Sequence, residues 1–388
     1  MLNYFSSNKI VFAFISVLLV ALVACATPTA DPTKAPVASS SSSAMAVISS
    51  SSVSSSAAPA PTAASSAASS AASSATSSVS KAGWPTKFIL GLFAGDDPTK
   101  VLGNYEALRT YLEKQLGVQF QLVTGTSYSA VIEAMAAKKA DGMMVGPFSY
   151  TLAVQEANAE ALVVSINGNA KDPKYDPKVT PFYYSVIITK KGSGISKIAD
   201  LKGKNFSFVD PASTSGHLMP KTLILKNGID PDKDMKTIFA GSHPTSVIAL
   251  WNDKVDAAAT YEQNLYDMNT QGQVKLCFFK DDALNKVRTA DELKATYDAC
   301  PTGNIAIIAY SDPIPNTPLA VRQDLPQSFK DAMRAALLDV KNHPEIISQT
   351  NEWYVDVTQD MGLKNLDAFY NPLRDIAKLL NLDLKSMK

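Results

Sequence analysis

Between position 26 and about position 81 the chain is almost wholly Ser, Ala, Thr and Pro. Such a segment has no large apolar side chains to bury, so it cannot offset the entropy lost on ordering. It divides the sequence into a short head and a long tail. The head holds an unbroken run of apolar and small residues at 10–24, behind a polar stretch whose one basic residue is Lys9. A membrane-crossing helix needs about 20 residues, so this shorter run reads as the hydrophobic part of a signal peptide. The tail, from Trp84 to Lys388, holds 305 residues, a length that suits two α/β lobes. The chain sets 36 Lys and Arg against 36 Asp and Glu, which argues against a nucleic-acid binder with its usual basic excess. With three Cys and three His it is no disulfide-scaffold miniprotein, and it offers little for a Cys/His zinc module. Neither a metal nor a cofactor is expected.

In the tail, strand and helix signals alternate. An apolar run at 88–93 reads as a buried strand. Asp97-Pro98 then opens a helix in which Tyr105, Leu108, Tyr111, Leu112 and Leu116 recur at three- and four-residue spacing, and Gly117 ends it. A strand at 118–123, a helix at 128–139, a strand at 142–145, a helix opened by Gly146-Pro147 and a strand at 161–166 follow. This order predicts a mainly parallel sheet with ligands at the C-terminal ends of its strands. A second set follows, with strands at 184–189, 205–209, 236–239 and 255–259 and helices at 198–201, 217–226 and 246–253. A strand at 304–309 is expected to return to the first lobe, and helices at 327–341 and 366–380 complete the chain. The predicted organisation is a signal peptide (1–24), a tether (25–83), a first lobe (84–183), a second lobe (184–308) and a return to the first (309–388).

Leu22-Val23-Ala24-Cys25 resembles the bacterial lipobox. The resemblance implies cleavage before Cys25 and a diacylglycerol on its thiol, with the Ser/Ala tract as a flexible tether. Two or three acyl chains anchor a protein stably, at about 0.8 kcal/mol per buried CH₂. The alternative is an ordinary secretory signal with an unrelated cysteine.

Four stretches of the tail carry a second resemblance. They are 128–141 with Gly146-Pro147-Phe148-Ser149-Tyr150; Phe208-Val209-Asp210-Pro211-Ala212-Ser213-Thr214-Ser215-Gly216, ending at Met219-Pro220; 241–247, running through Val255-Asp256-Ala257; and 311–318 with Arg322 and Asp324-Leu325-Pro326. The second is the most specific. Together they resemble the phosphate/phosphite/phosphonate-binding proteins of ABC importers, here in lipoprotein form. The resemblance implies a type II periplasmic-binding fold, in which two lobes joined by hinge strands close on a ligand. The implied ligand is a small phosphorus oxyanion. The implied partners are an ABC permease and its ATPase, with the membrane reached through the N-terminal lipid, no nucleic acid, and a monomeric chain.

The residues of the second stretch support an anion site independently. Ser213, Thr214, Ser215 and Gly216 lie between a strand and a helix, where free N–H groups and about half a positive charge gather. Three hydroxyls add donors without charge, and Gly216 permits close backbone approach. A plain helix cap is the alternative for any one hydroxyl. Tyr128 and Tyr150 are expected from the opposite lobe, each as a hydroxyl donor or a packing ring. Thr126 and Ser127 precede the Tyr128 helix as cap or ligand donor. The resemblance places His243 on the oxyanion, where its protonation matters; a surface turn is the alternative. His217 is expected to line the cleft, and His343 to be surface. In aminophosphonate-binding relatives an acid near Glu262 holds the ligand ammonium, but the spacing here is one residue short and Ile314-Pro315 is followed by Asn316-Thr317 instead of an acid.

Cys277 and Cys300 form an even pair, which outside the cytoplasm points to a disulfide, with two buried thiols as the alternative. For catalysis, the sequence lacks a G-x-S-x-G elbow, an HExxH and a CxxC. A non-enzymatic binder is therefore expected. The other reading is an extracytoplasmic sensor or a binding protein for another small anion such as a sulfonate.

Overall fold

In this computed structural model the described residues are 80–380 and 382, apart from 94, 96, 170, 171 and 280–285. The signal-peptide run, most of the tether and Cys25 lie outside them. Strand β1 (Lys87–Phe93) buries Phe88, Leu90 and Leu92. Helix α1 (Pro98–Asn104) follows, with Asp97 accepting from the Lys100 amide, and then α2 (Glu106–Leu116), which ends on left-handed Gly117 at φ 62°. The single helix expected up to Gly117 breaks at Tyr105, whose φ of −94° and ψ of 4° leave the helix. The break turns the Tyr105 hydroxyl toward Glu352, 3.0 Å away.

The chain continues through β2 (Gln119–Gly125), α3 (Tyr128–Ala136), β3 (Gly142–Met144), α4 (Pro147–Ala157) and β4 (Ala159–Asn167). β5 (Phe182–Tyr183) crosses to a second set: β6 (Ser185–Lys190), β7 (Asn205–Phe208), a π-helical turn over Thr214–Leu218, α5 (Met219–Lys226), α6 (Pro231–Asp234), β8 (Lys236–Phe239), α7 (His243–Trp251), β9 (Ala257–Tyr261), α8 (Glu262–Thr270), α9 (Ala290–Ala299) and β10 (Ile305–Tyr310). β11 (Ile314–Pro315) pairs with β5 and leads back to β12 (Pro318–Arg322), α10 (Gln327–Asp339), α11 (Pro344–Thr350), β13 (Glu352–Val355) and α12 (Asn371–Leu379).

One sheet has the order β13-β4-β12-β3-β1-β2 and the other β10-β6-β9-β7-β8. The sheets are mixed where mainly parallel ones were expected. β1 pairs in parallel with β2 and β3, but β12 runs antiparallel between β3 and β4. The reason is the route of the chain. It re-enters the first sheet from the hinge, at the C-terminal ends of the strands, so it must run down where β1–β4 run up. β6 enters the second sheet the same way and lies antiparallel to β9. β10 is the other departure: it pairs antiparallel with β6 in the second sheet, and the return to the first lobe is made by β12.

Each sheet carries apolar side chains on both faces. In the first, Phe88, Leu108, Phe329 and Trp353 lie in one cluster and Val131, Phe148, Tyr150 and Tyr370 in another. Val209, Ala212, Leu218 and Met219 of the second lobe belong to the latter cluster, so the segment after β7 rests on α3 and α4 of the first lobe. A disulfide joins Cys277 to Cys300, with Cα atoms 5.5 Å apart, and ties the end of α9 to the segment after α8. Among the described residues no helix is long and apolar enough to cross a membrane.

Candidate functional site

The ends of β1, β3, β7 and β9 face a cleft of about 940 Å³ between the lobes. One end of it is built on the turn after β7. Ser213, in extended conformation, caps the π-helical turn: its hydroxyl oxygen accepts from the Gly216 amide at 3.0 Å. A Cβ on Gly216 would stand 2.3 Å from Val209 Cβ, so glycine is required there. The close approach that Gly216 permits is thus to the preceding strand. Gly216 does not line the cleft, a correction to its expected ligand contact, and its N–H is held by Ser213.

Ser213, Thr214 and Ser215 do line the cleft. The Thr214 hydroxyl oxygen accepts from the Phe148 amide in the first turn of α4, at 2.8 Å, which leaves its own proton to donate. Tyr128, and Tyr183 from the hinge strand, line the same cleft as Ser213, Thr214 and Ser215. Burial raises both phenols, Tyr183 to about 12, so both remain protonated donors at neutral pH. Asp210 braces the turn from behind. Its carboxylate accepts from the Ala212 amide at 2.8 Å, and burial raises its pKa. The Ser149 hydroxyl donates to the Ala212 carbonyl at 2.7 Å, a second bond between the lobes.

His243 opens α7, and Ser242 caps that helix. Its Nδ1 lies 3.2 Å from the Thr260 hydroxyl, and its ring meets Tyr261 edge-on at 4.7 Å. Burial lowers its pKa to about 3, so it serves the cleft as a neutral imidazole and brings no positive charge. Glu262 also lines the cleft and is fully buried; it accepts from the Tyr310 hydroxyl at 2.6 Å.

Three expectations are corrected. Tyr150 is turned away: its hydroxyl donates to Asp367 at 2.8 Å, and its ring packs on Tyr370. Thr126 is exposed and Ser127 caps α3 by accepting from Ala130; neither lines the cleft. His217 is sandwiched between Phe208 and Phe239, and its Nδ1–H donates to the Pro211 carbonyl at 2.9 Å, so it supports the turn from outside the cleft. His343 lies at the surface between Asp339 and Glu345.

Sequence reasoning missed Tyr183, Tyr261, Tyr105, Asn167 and Glu352, all on the cleft wall. A faint signal existed for one of them: Glu352 is an acid at the head of the apolar run Trp353-Tyr354-Val355. Its carboxylate accepts from Tyr105 at 3.0 Å and Asn167 at 3.2 Å, and burial raises its pKa to about 7. Among the described residues no group of three or more His, Cys, Asp or Glu is placed to hold a metal ion.

Two α/β lobes on a pair of hinge strands, closed around a cleft rich in neutral hydroxyl donors, define a binding protein of the type II periplasmic kind. Residues 90–361 match the family described as ABC transporter, phosphonate, periplasmic substrate-binding protein, and the chain belongs to it. It is 29% identical over 192 residues to the phosphate-import protein PhnD of Mycolicibacterium smegmatis, covering 46% of this chain and 56% of that one. It is 28% identical over 239 residues to the phosphonates-binding periplasmic protein of Escherichia coli, covering 60% of each. The chain thus spans less than two thirds of these curated relatives. In fold it is similar to PhnD1 of Prochlorococcus marinus, solved with methylphosphonate, at a TM-score of 0.59 and 17% identity over 76% of this chain and 99% of that one. A phosphonate-transporter binding component from Pseudomonas aeruginosa gives 0.54 and 20% over 78% and 97%.

Proposed function

We propose that this protein captures a phosphorus oxyanion (phosphonate, phosphite or phosphate) between its lobes and delivers it to the permease and ATPase of an ABC importer. It performs no catalysis in this reading, and a lipid on Cys25 holds it at the outer face of the cell membrane. The observation that carries the reading is the convergence of the Ser213, Thr214 and Ser215 side chains with Tyr128 and Tyr183 in one buried pocket. Neutral donors suit a tetrahedral oxyanion because they bind its oxygens without fixing its charge. The pre-set turn lowers the ordering cost of binding.

The test is calorimetric titration of the 80–388 domain with phosphate, phosphite, methylphosphonate, sulfate and an alkylsulfonate. At least one phosphorus oxyanion should bind. Ser215→Ala should weaken it by roughly ten- to a hundredfold, the loss for one hydrogen bond to a charged group. Binding of the sulfur anions alone would transfer the reading to a sulfonate or sulfate carrier. An unchanged affinity in Ser215→Ala would remove the pocket from consideration.

A further inference from the structure

Two consecutive carbonyls in the turn after β7 accept from amides in the i→i+5 pattern of a π-helix: Ser213 from Leu218 at 3.1 Å, and Thr214 from Met219. The next donor in that series would be the amide of residue 220, which is Pro220 and has no N–H. Ser215 is 3% exposed, and a buried carbonyl left without a donor is costly, so the Ser215 carbonyl needs one from elsewhere. A side chain of another element supplies it. The Ser185 hydroxyl, at the start of β6, donates to the Ser215 carbonyl at 2.6 Å.

The same peptide unit is held at its other end. Its N–H, that of Gly216, donates to the Ser213 hydroxyl oxygen at 3.0 Å. The Ser215–Gly216 peptide is thus clamped by a serine on each side, and two cleft-lining hydroxyls depend on it. Ser215 carries one of them on the residue whose carbonyl is held. Ser213 carries the other and, having accepted from Gly216, has its own proton left to donate.

Ser185 is itself firmly placed. It is 1% exposed and does not line the cleft. Its N–H donates to the Ser311 hydroxyl oxygen at 3.0 Å, and its carbonyl accepts from the Ser311 N–H at 2.9 Å. Ser185 follows β5 and Ser311 precedes β11, so this anchor stands where both crossings meet the second lobe. Every group in the clamp belongs to that lobe. The bond from Phe148 to Thr214, by contrast, joins the two lobes.

Resting on the proposed capture of a phosphorus oxyanion at Ser213–Ser215, we propose that Ser185 is a positioning residue for capture: it supplies the donor that Pro220 withholds, and so sets the Ser213 and Ser215 hydroxyls within the second lobe before the lobes close. Ser185 touches no ligand in this role. A turn set in advance loses less entropy on binding.

Ser185→Ala and Pro220→Ala, made singly and together in the full chain, test this, with phosphate and methylphosphonate as the titrated probes. Ser185→Ala should weaken whichever probe the wild type binds by roughly tenfold. Pro220→Ala places an N–H at the next position of the series, so in its presence Ser185→Ala should cost less than about threefold. A side chain that serves only the packing of β6 would lower the melting temperature and leave affinity unchanged. That result, or equal losses of affinity with and without Pro220, overturns the proposal.

A second measurement needs no ligand. Hydrogen exchange at the Gly216 amide should quicken by about tenfold in Ser185→Ala and return toward the wild-type rate in the double variant. An unchanged rate in Ser185→Ala overturns the clamp even if affinity falls. If exchange responds as expected but the wild type binds neither probe, the oxyanion reading falls and the positioning role with it, while the clamp on the turn stands.

Discussion

At the scale of single residues, burial decides the charge of the site. His243 and His217 are both held neutral by desolvation, with pKa values lowered to about 3 and about 4. The sign of the consequence follows from linkage. A histidine whose pKa is lower folded than unfolded binds fewer protons in the native state, so its stabilising contribution is complete above the unfolded value and is lost as pH falls through the folded one. For His217 the window runs from about 6.5 down to about 4. Full loss amounts to roughly 3 kcal/mol. His217→Phe keeps an aromatic between Phe208 and Phe239 and removes the titration. The variant should lose about 1 kcal/mol near neutral pH with the bond to Pro211, and its melting temperature should fall less steeply than that of the wild type on acidification. Parallel curves would show that His217 does not carry the acid sensitivity.

At the scale of elements, what could be read in advance depended on how far a residue reaches. The turn from Asp210 to Gly216 was legible because its chemistry is local: a strand end, three hydroxyls and a helix start fall within a few positions. Glu352 was not, because its meaning comes from Tyr105, 247 residues away in sequence. Tyr150 misled for a related reason. Residues 147–153 of α4 are buried all round, so no polar face shows where a hydroxyl points, and its partner Asp367 is 217 residues away. The βαβ alternation predicted the direction of β1–β4 but not the insertion of β12, which follows from the hinge route. The same α4 yields a prediction of its own. Ser149 is fully buried, does not line the cleft, and joins the lobes only through the Ala212 carbonyl. Ser149→Ala should weaken every ligand by a similar factor, about three- to thirtyfold, chiefly through faster dissociation. Stopped-flow release of two unlike ligands checks this; losses that differ between ligands would place Ser149 in direct contact with them.

On the scale of the whole molecule, the disulfide and the cleft are separable. Cys277 and Cys300 line a different concavity from the one that holds Ser213 and Glu352, and their bond closes a loop of 23 residues. The Cys277→Ser/Cys300→Ser double variant should lose roughly 3 kcal/mol of folding stability in the chain-entropy account. Ligand affinity at 25 °C should stay within about threefold. Denaturant melts and calorimetry on the same preparation distinguish the two effects, and a large loss of affinity would mean that the bridge also sets the lobe geometry. The bonds from Phe148 to Thr214 and from Ser149 to Ala212 have a consequence of a different kind. They are made by the protein with itself, so they are the same whatever the cargo. An external force that parts α4 from this turn would undo the hold on every ligand at once. Opening of the cleft thus carries one cost common to all ligands, to which each ligand adds only the cost of its own contacts.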